Sequence, residues 1–261
     1  MLPIPGAMQA TLVSFYGEKP KKFVKLIHDC QNKISESLRS AYTPYQLDQV
    51  HATIVGLEGH RHSKKILNAN FLNFRHEHKL VQLDSFLGHL RAGGNVPIEI
   101  QIGGYPYYQD QKDVPFSSQG KQPYERTFSI HADKVVAMGW PAIRLKRGDH
   151  DMPLHNFRKA FQEVNVLHKE HRTTTDTDDD FYFVLGHVDR RYAKADEIEK
   201  LEKEVREFLA QRPPTRLSLG LENLSIVAYL DAQLPVGTSC RFRVTDTNFD
   251  GSDLLQLYPK R

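Results

Sequence analysis

The chain has 261 residues, a formal net charge of +3 at pH 7, and hydrophobic residues at 39% of its positions. This length can bury a core without disulfides or a structural metal, in one large domain or in two small lobes. The mild positive charge permits an anionic ligand, but it excludes an architectural nucleic-acid binder, which would carry a far larger basic excess.

The cysteines and the hydropathy pattern predict the compartment. Cys30 and Cys240 are isolated and lack zinc-ligand spacing, so we expect free thiols in a reducing environment. Residues 1–6 show no basic stretch leading into an apolar run, and no segment reaches the roughly 18 consecutive apolar residues of a membrane helix. We therefore expect a cytoplasmic protein without a membrane partner, and we take it as a monomer.

The first half of the chain is predicted as a mixture of strands and helices. In chain order, we predict a strand at 10–16, a helix from Phe23 to Leu38, a strand at 45–57, a helix at 63–74, a helix or loop up to residue 91, and a strand at 96–102. The glycines at 93 and 94 mark the turn before the last of these strands.

The second half repeats the order of strand, helix and histidine-bearing strand. We predict an exposed loop at 109–125, strands at 126–130 and 135–140, a helix at 154–168, a strand at 181–189, a helix at 195–211, and strands at 217–224, 225–230 and 241–244. Strands and helices do not alternate strictly, which favours an α+β fold with mainly antiparallel sheet. We expect one bilobal domain over residues 1–261, with two pseudo-symmetric sheets, flanking helices and a central cleft.

Two candidate site residues share one face of a predicted strand. His51 and Thr53 are two positions apart, so strand alternation points both side chains the same way, while Val50, Ala52 and Ile54 point to the other face. An imidazole can transfer a proton, and a hydroxyl can donate a hydrogen bond to a developing negative charge. This pair predicts half of a phosphate-handling site.

A second, imperfect copy follows 136 positions later. His187 lies on the strand-like run 181–189, but the residue two positions on is a carboxylate, Asp189. His131, in the sequence His131-Ala132-Asp133, is a competing candidate. It precedes the helix of the second half instead of following it.

The element order and the motif His51-Ala52-Thr53 resemble the 2H phosphoesterase superfamily, which includes 2′-5′ RNA ligase-like proteins and cyclic phosphodiesterases. That family carries two His-x-Thr/Ser motifs on strands of two pseudo-symmetric lobes that line one cleft. His51 and Thr53 match the first motif in full, and His187-Val188-Asp189 matches the second only in its histidine. The resemblance covers residues 8–245.

The resemblance implies hydrolysis of a 2′,3′-cyclic or 2′-5′ phosphodiester in a nucleotide or RNA end. One histidine would act as general base and the other as general acid, since an imidazole can take either role near neutral pH. The hydroxyl of Thr53 would donate to a non-bridging oxygen. No metal and no cofactor is implied.

Asp189 departs from the family pattern at a definite cost. An ionised carboxylate about 4 Å from a phosphate would be repelled by roughly 4 kcal/mol at an effective dielectric near 20. Asp189 could instead be held by Arg191, be protonated, or orient a histidine. The alternative hypothesis is a non-catalytic member of the same fold that binds a nucleotide or a protein.

Further residues are candidates for ligand contacts or for ordinary structure. Arg190 and Arg191 follow His187 and are candidate phosphate contacts, while Tyr105 could stack on a base or pack at a strand end. The histidine pairs 60/62, 76/78 and 168/171 lie in polar stretches, so we expect solvated side chains there and no metal site. The acidic run from Asp176 to Asp180 predicts a solvated loop.

Overall fold

A computed structural model describes residues 8–145 and 151–259 of the chain. Residues 1–6, on which part of the compartment prediction depends, lie outside the described residues. The helices are α1 (Lys21–Leu38), α2 (Ala69–Arg75), α3 (Leu83–Ala92), α4 (Pro123–Arg126), α5 (Pro153–Ala160), α6 (Ala195–Gln211) and α7 (Gly251–Gln256). The strands are β1 (Gln9–Ser14), β2 (Tyr42–Pro44), β3 (Ala52–Gly56), β4 (Gly59–His62), β5 (Lys65–Asn68), β6 (Ile98–Ile102), β7 (Phe128–His131), β8 (Lys134–Pro141), β9 (Phe181–Val188), β10 (Thr215–Leu219), β11 (Leu224–Tyr229) and β12 (Cys240–Arg243).

Ten of these strands form one large sheet, and β4 and β5 form a separate hairpin. The main path of the large sheet runs β10-β6-β8-β9-β3-β1-β11-β12, with β2 added beside β9 and β7 beside β8. Each pair of neighbouring strands is antiparallel. The predicted α+β class with mainly antiparallel sheet is confirmed. The two predicted sheets are instead joined into one, because β3 pairs with β9 through Ala52 and Phe183.

Helices cover one face of this sheet. The apolar faces of α1 and α6 pack there, with buried residues that include Phe23, Ile27, Leu201 and Val205. Phe23 contacts Phe183 of β9 edge to face, at 5.1 Å between ring centroids. The core therefore lies between the helices and this face, and a second, smaller apolar cluster lies on the opposite face.

Most of the periodic segments form the elements that the sequence predicts. Helix α6 has the predicted bounds, α1 and β9 match to within two residues, and β6, β7 and β8 fall where strands are expected. The predicted helix at 63–74 is wrong: the chain forms the end of the β4–β5 hairpin there, followed by the two-turn helix α2. The predicted strand at 45–57 is shortened to β3, so His51 lies one residue before the strand begins.

The two central strands share an irregularity at equivalent positions. On β3, Ile54 is an extra residue between the pairs Leu12↔Val55 and Val13↔Thr53. On β9, Leu185 is an extra residue between Val135↔Gly186 and Val136↔Val184. Each bulge lies two residues beyond Ala52 or Phe183. The backbone of the sheet centre is thus related by a local pseudo-two-fold axis through that pair.

Candidate functional site

The candidate site lies on the sheet face opposite the helices, which we call the open face. Ala52 and Phe183 pair with each other and belong to the core, so their strand neighbours point to the other side. Thr53 pairs with Val13, which belongs to a separate apolar cluster with Tyr16 and not to the main core. The predicted common face of His51 and Thr53 is therefore the open face.

His51 is oriented by its own backbone neighbourhood. Its Nδ1 lies 2.6 Å from the carbonyl oxygen of Gln49, so Nδ1 carries the proton and donates it. Nε2 makes no hydrogen bond within the described part of the chain and keeps its lone pair. Burial lowers the pKa of His51 to about 4, against the opposing effect of the Gln49 hydrogen bond. At neutral pH this imidazole is uncharged and can accept a proton.

Lys19 is a cation beside His51 that the sequence did not mark. Its Nζ donates to the carbonyl oxygen of Gly17 at 2.8 Å. Burial lowers the pKa of Lys19 to about 8, while the charge of Asp48 raises it in part. The same ammonium lies close enough to lower the pKa of His51. His51 is thus within electrostatic range of a positive charge, which favours an anionic ligand.

His187 lies between two protein partners. Its Nδ1 is 3.0 Å from Oδ2 of Asp133, and its Nε2 is 2.6 Å from the hydroxyl of Tyr45. The bulge at Leu185 places His187 on the open face, since without the extra residue it would point into the core with Phe183. Sequence reasoning missed Tyr45. It considered Asp133 only as a partner of His131, whereas the pairing Lys134↔His187 brings Asp133 to His187.

Tyr45 and His51 occupy successive places along one edge of β9. Thr43 and Pro44 pair with His187 and Gly186, and the amide of Tyr45 then donates to Leu185 at 2.9 Å. The chain leaves the sheet through a short 3₁₀ turn at Leu47–Gln49 and returns as β3 with Ala52 opposite Phe183. Tyr45 therefore lies between the two histidines.

The pseudo-two-fold axis does not relate the two histidines. It relates Ala52 to Phe183, so the counterparts of His51 and Thr53 are Tyr182 and Val184. The expected symmetric placement of His51 and His187 is thereby corrected: the two lie on the same face of neighbouring central strands, but in different registers. Taking about 3.3 Å per residue along a strand and 4.8 Å between strands, their Cα atoms lie about 10 Å apart.

Asp189 is engaged by Arg191, the first of the three possibilities that the sequence leaves open. The guanidinium donates from Nε to Oδ1 at 2.9 Å and from Nη2 to Oδ2 at 2.6 Å. These hydrogen bonds lower the pKa of Asp189 to about 2. The pair follows the end of β9 and its arginine is exposed. The carboxylate charge is therefore compensated.

Two other predicted ligand contacts have structural roles instead. Arg190 donates to the carbonyl oxygens of Ala132 and Ile130, the second at 3.1 Å, and so ties the end of β9 to the β7–β8 hairpin. Tyr105 is 2% exposed, packs edge to face against Trp140, and donates to Gln101 at 3.0 Å. A base has no access to this ring, so the base-stacking expectation for Tyr105 is corrected to packing.

The expected solvated histidines and acidic loop are in part a buried network. His155, His168 and His171, which we call the histidine cluster, are all buried, and so are Asp178, Asp179 and Asp180. His171 lies 3.0 Å from His155, and Nε2 of His168 lies 2.8 Å from Asp178. Burial lowers the pKa of all three histidines, to about 4 for His168 and about 3 for His171. The prediction of solvated side chains was wrong for the 168/171 pair and for residues 178–180.

Arg158 connects this network to the candidate site. The side chain is 1% exposed and lies where β3 and the entry to β9 diverge. It donates to the carbonyl oxygens of Ile54 and Thr53 at 3.1 and 3.0 Å, and to the Asp178 carboxylate at 3.0 Å. The guanidinium therefore joins β3, in the half of the sheet that contains β1, to the segment that leads into β9, in the half that contains β8.

A cleft of about 660 Å³ extends over the part of the open face that β7, β8 and β9 form. Its sheet side includes Lys134, Val136, Met138 and Tyr182, and Lys169 lies over the Tyr182 ring, with Nζ 5.3 Å from the centroid. This volume is in the usual range for a small-molecule site. The lining includes Lys134, which pairs with His187, but it includes none of His51, Thr53, Tyr45 and His187.

Metal sites and membrane-spanning helices are both absent from the described part of the chain. No group of three or more His, Cys, Asp or Glu side chains there is arranged to hold a metal ion. No helix in residues 8–145 and 151–259 is long and apolar enough to cross a membrane.

Comparison with known proteins gives a weak structural similarity. No protein-family model and no curated protein matches the chain. The chain is similar to the crystal structure of the protein TT0787 of Thermus thermophilus, at 14% sequence identity and a TM-score of 0.39, over 90% of this chain and 93% of that chain.

Proposed function

We propose that the open face around His51 binds and cleaves a phosphodiester of a nucleotide or RNA end without a metal ion, with His51 as the general base. The observation that supports this most strongly is the state of His51: Nδ1 donates its proton to Gln49, which leaves the lone pair on Nε2. A base must present a lone pair in a fixed direction, and this imidazole does.

Binding of a phosphate would also strengthen the base. The folded protein holds the pKa of His51 at about 4 because the ring is buried and a lysine charge is near. An anionic ligand beside the ring favours the protonated imidazole and raises that pKa. Lys19 supplies a cation for the phosphate, and the hydroxyl of Thr53 lies on the same face. Base strength and ligand charge are thus coupled.

One observation favours a second candidate, a protein that binds such a ligand without cleaving it. The pseudo-two-fold axis relates His51 to Tyr182 and Thr53 to Val184. These two residues offer neither an imidazole nor a second small hydroxyl. His187, in turn, has a protein partner on each ring nitrogen.

The test is hydrolysis of 2′,3′-cyclic nucleotides and 2′-5′-linked dinucleotides in EDTA. We expect turnover by the wild type and a loss of about 10²–10⁴-fold in His51→Gln, the usual contribution of a general base. His62→Gln removes an exposed histidine of the β4–β5 hairpin and is the matched control. Tight binding of these compounds with no turnover, measured by calorimetry, would replace catalysis with the second candidate.

A further inference from the structure

We propose that Tyr45 is a catalytic residue of this site, with its hydroxyl giving a proton to the leaving oxygen, and that His187 supplies that proton while Asp133 positions His187. The inference rests on the proposed function and extends it: it assigns the acid half of the reaction to a group that carries no family motif.

The contacts form a continuous chain across the open face. The Asp133 carboxylate lies 3.0 Å from Nδ1 of His187, and the Tyr45 hydroxyl lies 2.6 Å from Nε2 on the other side of the ring. A carboxylate on Nδ1 fixes the orientation of the ring. Asp133 and Tyr45 together thus occupy both ring nitrogens, so His187 exchanges a proton with a ligand only through Tyr45.

The backbone position of Tyr45 lies between those of His187 and His51 along the edge of β9. Tyr45 and His51 follow each other along the same edge of β9, whereas His187 lies beyond Tyr45. Burial raises the pKa of Tyr45, and the charges of Asp231 and Asp133 raise it further. The phenol therefore stays protonated and acts as a proton donor.

The proposed step conserves atoms and charge. Nε2 of His51 takes the proton of the attacking water as its oxygen bonds to phosphorus. As the bond from phosphorus to the leaving oxygen breaks, that oxygen takes the Tyr45 proton. The phenolic oxygen takes the Nε2 proton of the His187 imidazolium in the same step. His51 ends protonated and His187 ends neutral, and exchange with solvent restores both.

The test compares two leaving groups in Tyr45→Phe. One substrate is a 2′-5′-linked dinucleotide, whose alkoxide leaving group needs a proton. The other is a nucleoside 2′-(4-nitrophenyl phosphate), whose nitrophenolate leaves without one. We expect kcat to fall by about 10²–10⁴-fold on the first substrate and by less than about threefold on the second. His187→Gln should show the same selectivity, and the double variant should lose no more than the larger single loss, because the two groups act as a unit.

Tyr42→Phe is the matched control. The Tyr42 hydroxyl is also buried and donates to Leu185 at 2.7 Å, and both tyrosine rings belong to the main core cluster. Tyr42 pairs with Val188, a core residue, so its side chain points away from the face that carries His187. We expect both rates to remain within about twofold of wild type in this variant, since it removes no group from the open face. An equal loss on both substrates in Tyr45→Phe, or no loss on either, would overturn the relay while leaving the proposed function standing. A wild type inert on both substrates would overturn both.

Discussion

Replacement of Arg158 by methionine should destabilise the fold strongly. The guanidinium contacts both halves of the sheet, with donors to Thr53 and Ile54 on one side and to Asp178 and Asp180 on the other. Methionine has similar bulk but donates no hydrogen bond. The change therefore leaves several buried carbonyl oxygens unpaired and leaves a buried carboxylate without its cation.

The magnitude follows from burial. The Arg158 side chain is 1% exposed and that of Asp178 is 7% exposed, so solvent replaces few of the lost contacts. Removal of one partner of a buried ion pair costs about 3–5 kcal/mol. Total stabilities are about 5–15 kcal/mol, so this loss would be a large fraction of the free energy of unfolding. Arg158→Lys keeps the charge but loses the fork of donors, and it should have a smaller effect.

Urea denaturation followed by circular dichroism measures this difference. Arg191→Met is the control, because it breaks an ion pair whose arginine is 81% exposed, and it should leave the denaturation midpoint unchanged. The double variant Arg158→Met, Asp178→Asn should recover part of the loss, since it removes the unpaired charge. A free energy of unfolding within about 1 kcal/mol of wild type in Arg158→Met would refute the argument that this residue joins the halves.

Three further predictions concern pH, packing and the altered motif. The histidines of the cluster have lower pKa values in the fold than in the unfolded chain. Their contribution to the free energy of unfolding is therefore complete above about pH 6.5 and is lost as the pH falls towards 4. Burial raises the pKa of Asp179 to about 7, so this carboxyl changes the free energy of unfolding in the opposite direction over that range. We expect the urea midpoint to fall between pH 7 and pH 5, less steeply in His171→Asn. Gly186→Ala places a methyl group 2.4 Å from the Thr43 carbonyl oxygen and should lower the free energy of unfolding by about 1–3 kcal/mol. A methyl group at Gly88 has nothing within 4 Å, so Gly88→Ala should leave the melting temperature unchanged or raise it in thermal denaturation. Asp189→Thr should leave kcat/KM within about threefold of wild type, because Arg191 already compensates the carboxylate.

Strongly periodic segments were predictable from the sequence. The apolar positions Ile198, Leu201, Val205 and Leu209 repeat at helical spacing and all are buried in α6. The error at 63–74 has a physical reason. Ile66 is buried on a hairpin strand and Phe71 on the helix that follows, so two short elements together mimic one helical stripe. Tertiary pairing decides between these interpretations, and a local pattern does not contain it.

The candidate site was predictable only where it depends on local alternation. The shared face of His51 and Thr53 follows from strand geometry and is present. The face of His187 depends on a bulge at Leu185, and its partner Asp133 depends on the pairing of β8 with β9. Tyr45 reaches His187 because the chain leaves the sheet after β2 and returns at β3. These are properties of strand register, which side-chain spacing alone does not fix.

The pseudo-two-fold axis explains why the second histidine of the sequence pattern does not lie at the position equivalent to the first. The backbone repeats around Ala52 and Phe183, including the bulge on each strand, so the fold offers two equivalent places for side chains on the open face. His51 and Thr53 occupy one place, and Tyr182 and Val184 occupy the other. The second place therefore holds no imidazole. In the reaction that we propose, Tyr45, whose hydroxyl lies 2.6 Å from His187, supplies the proton from the strand edge beside His51.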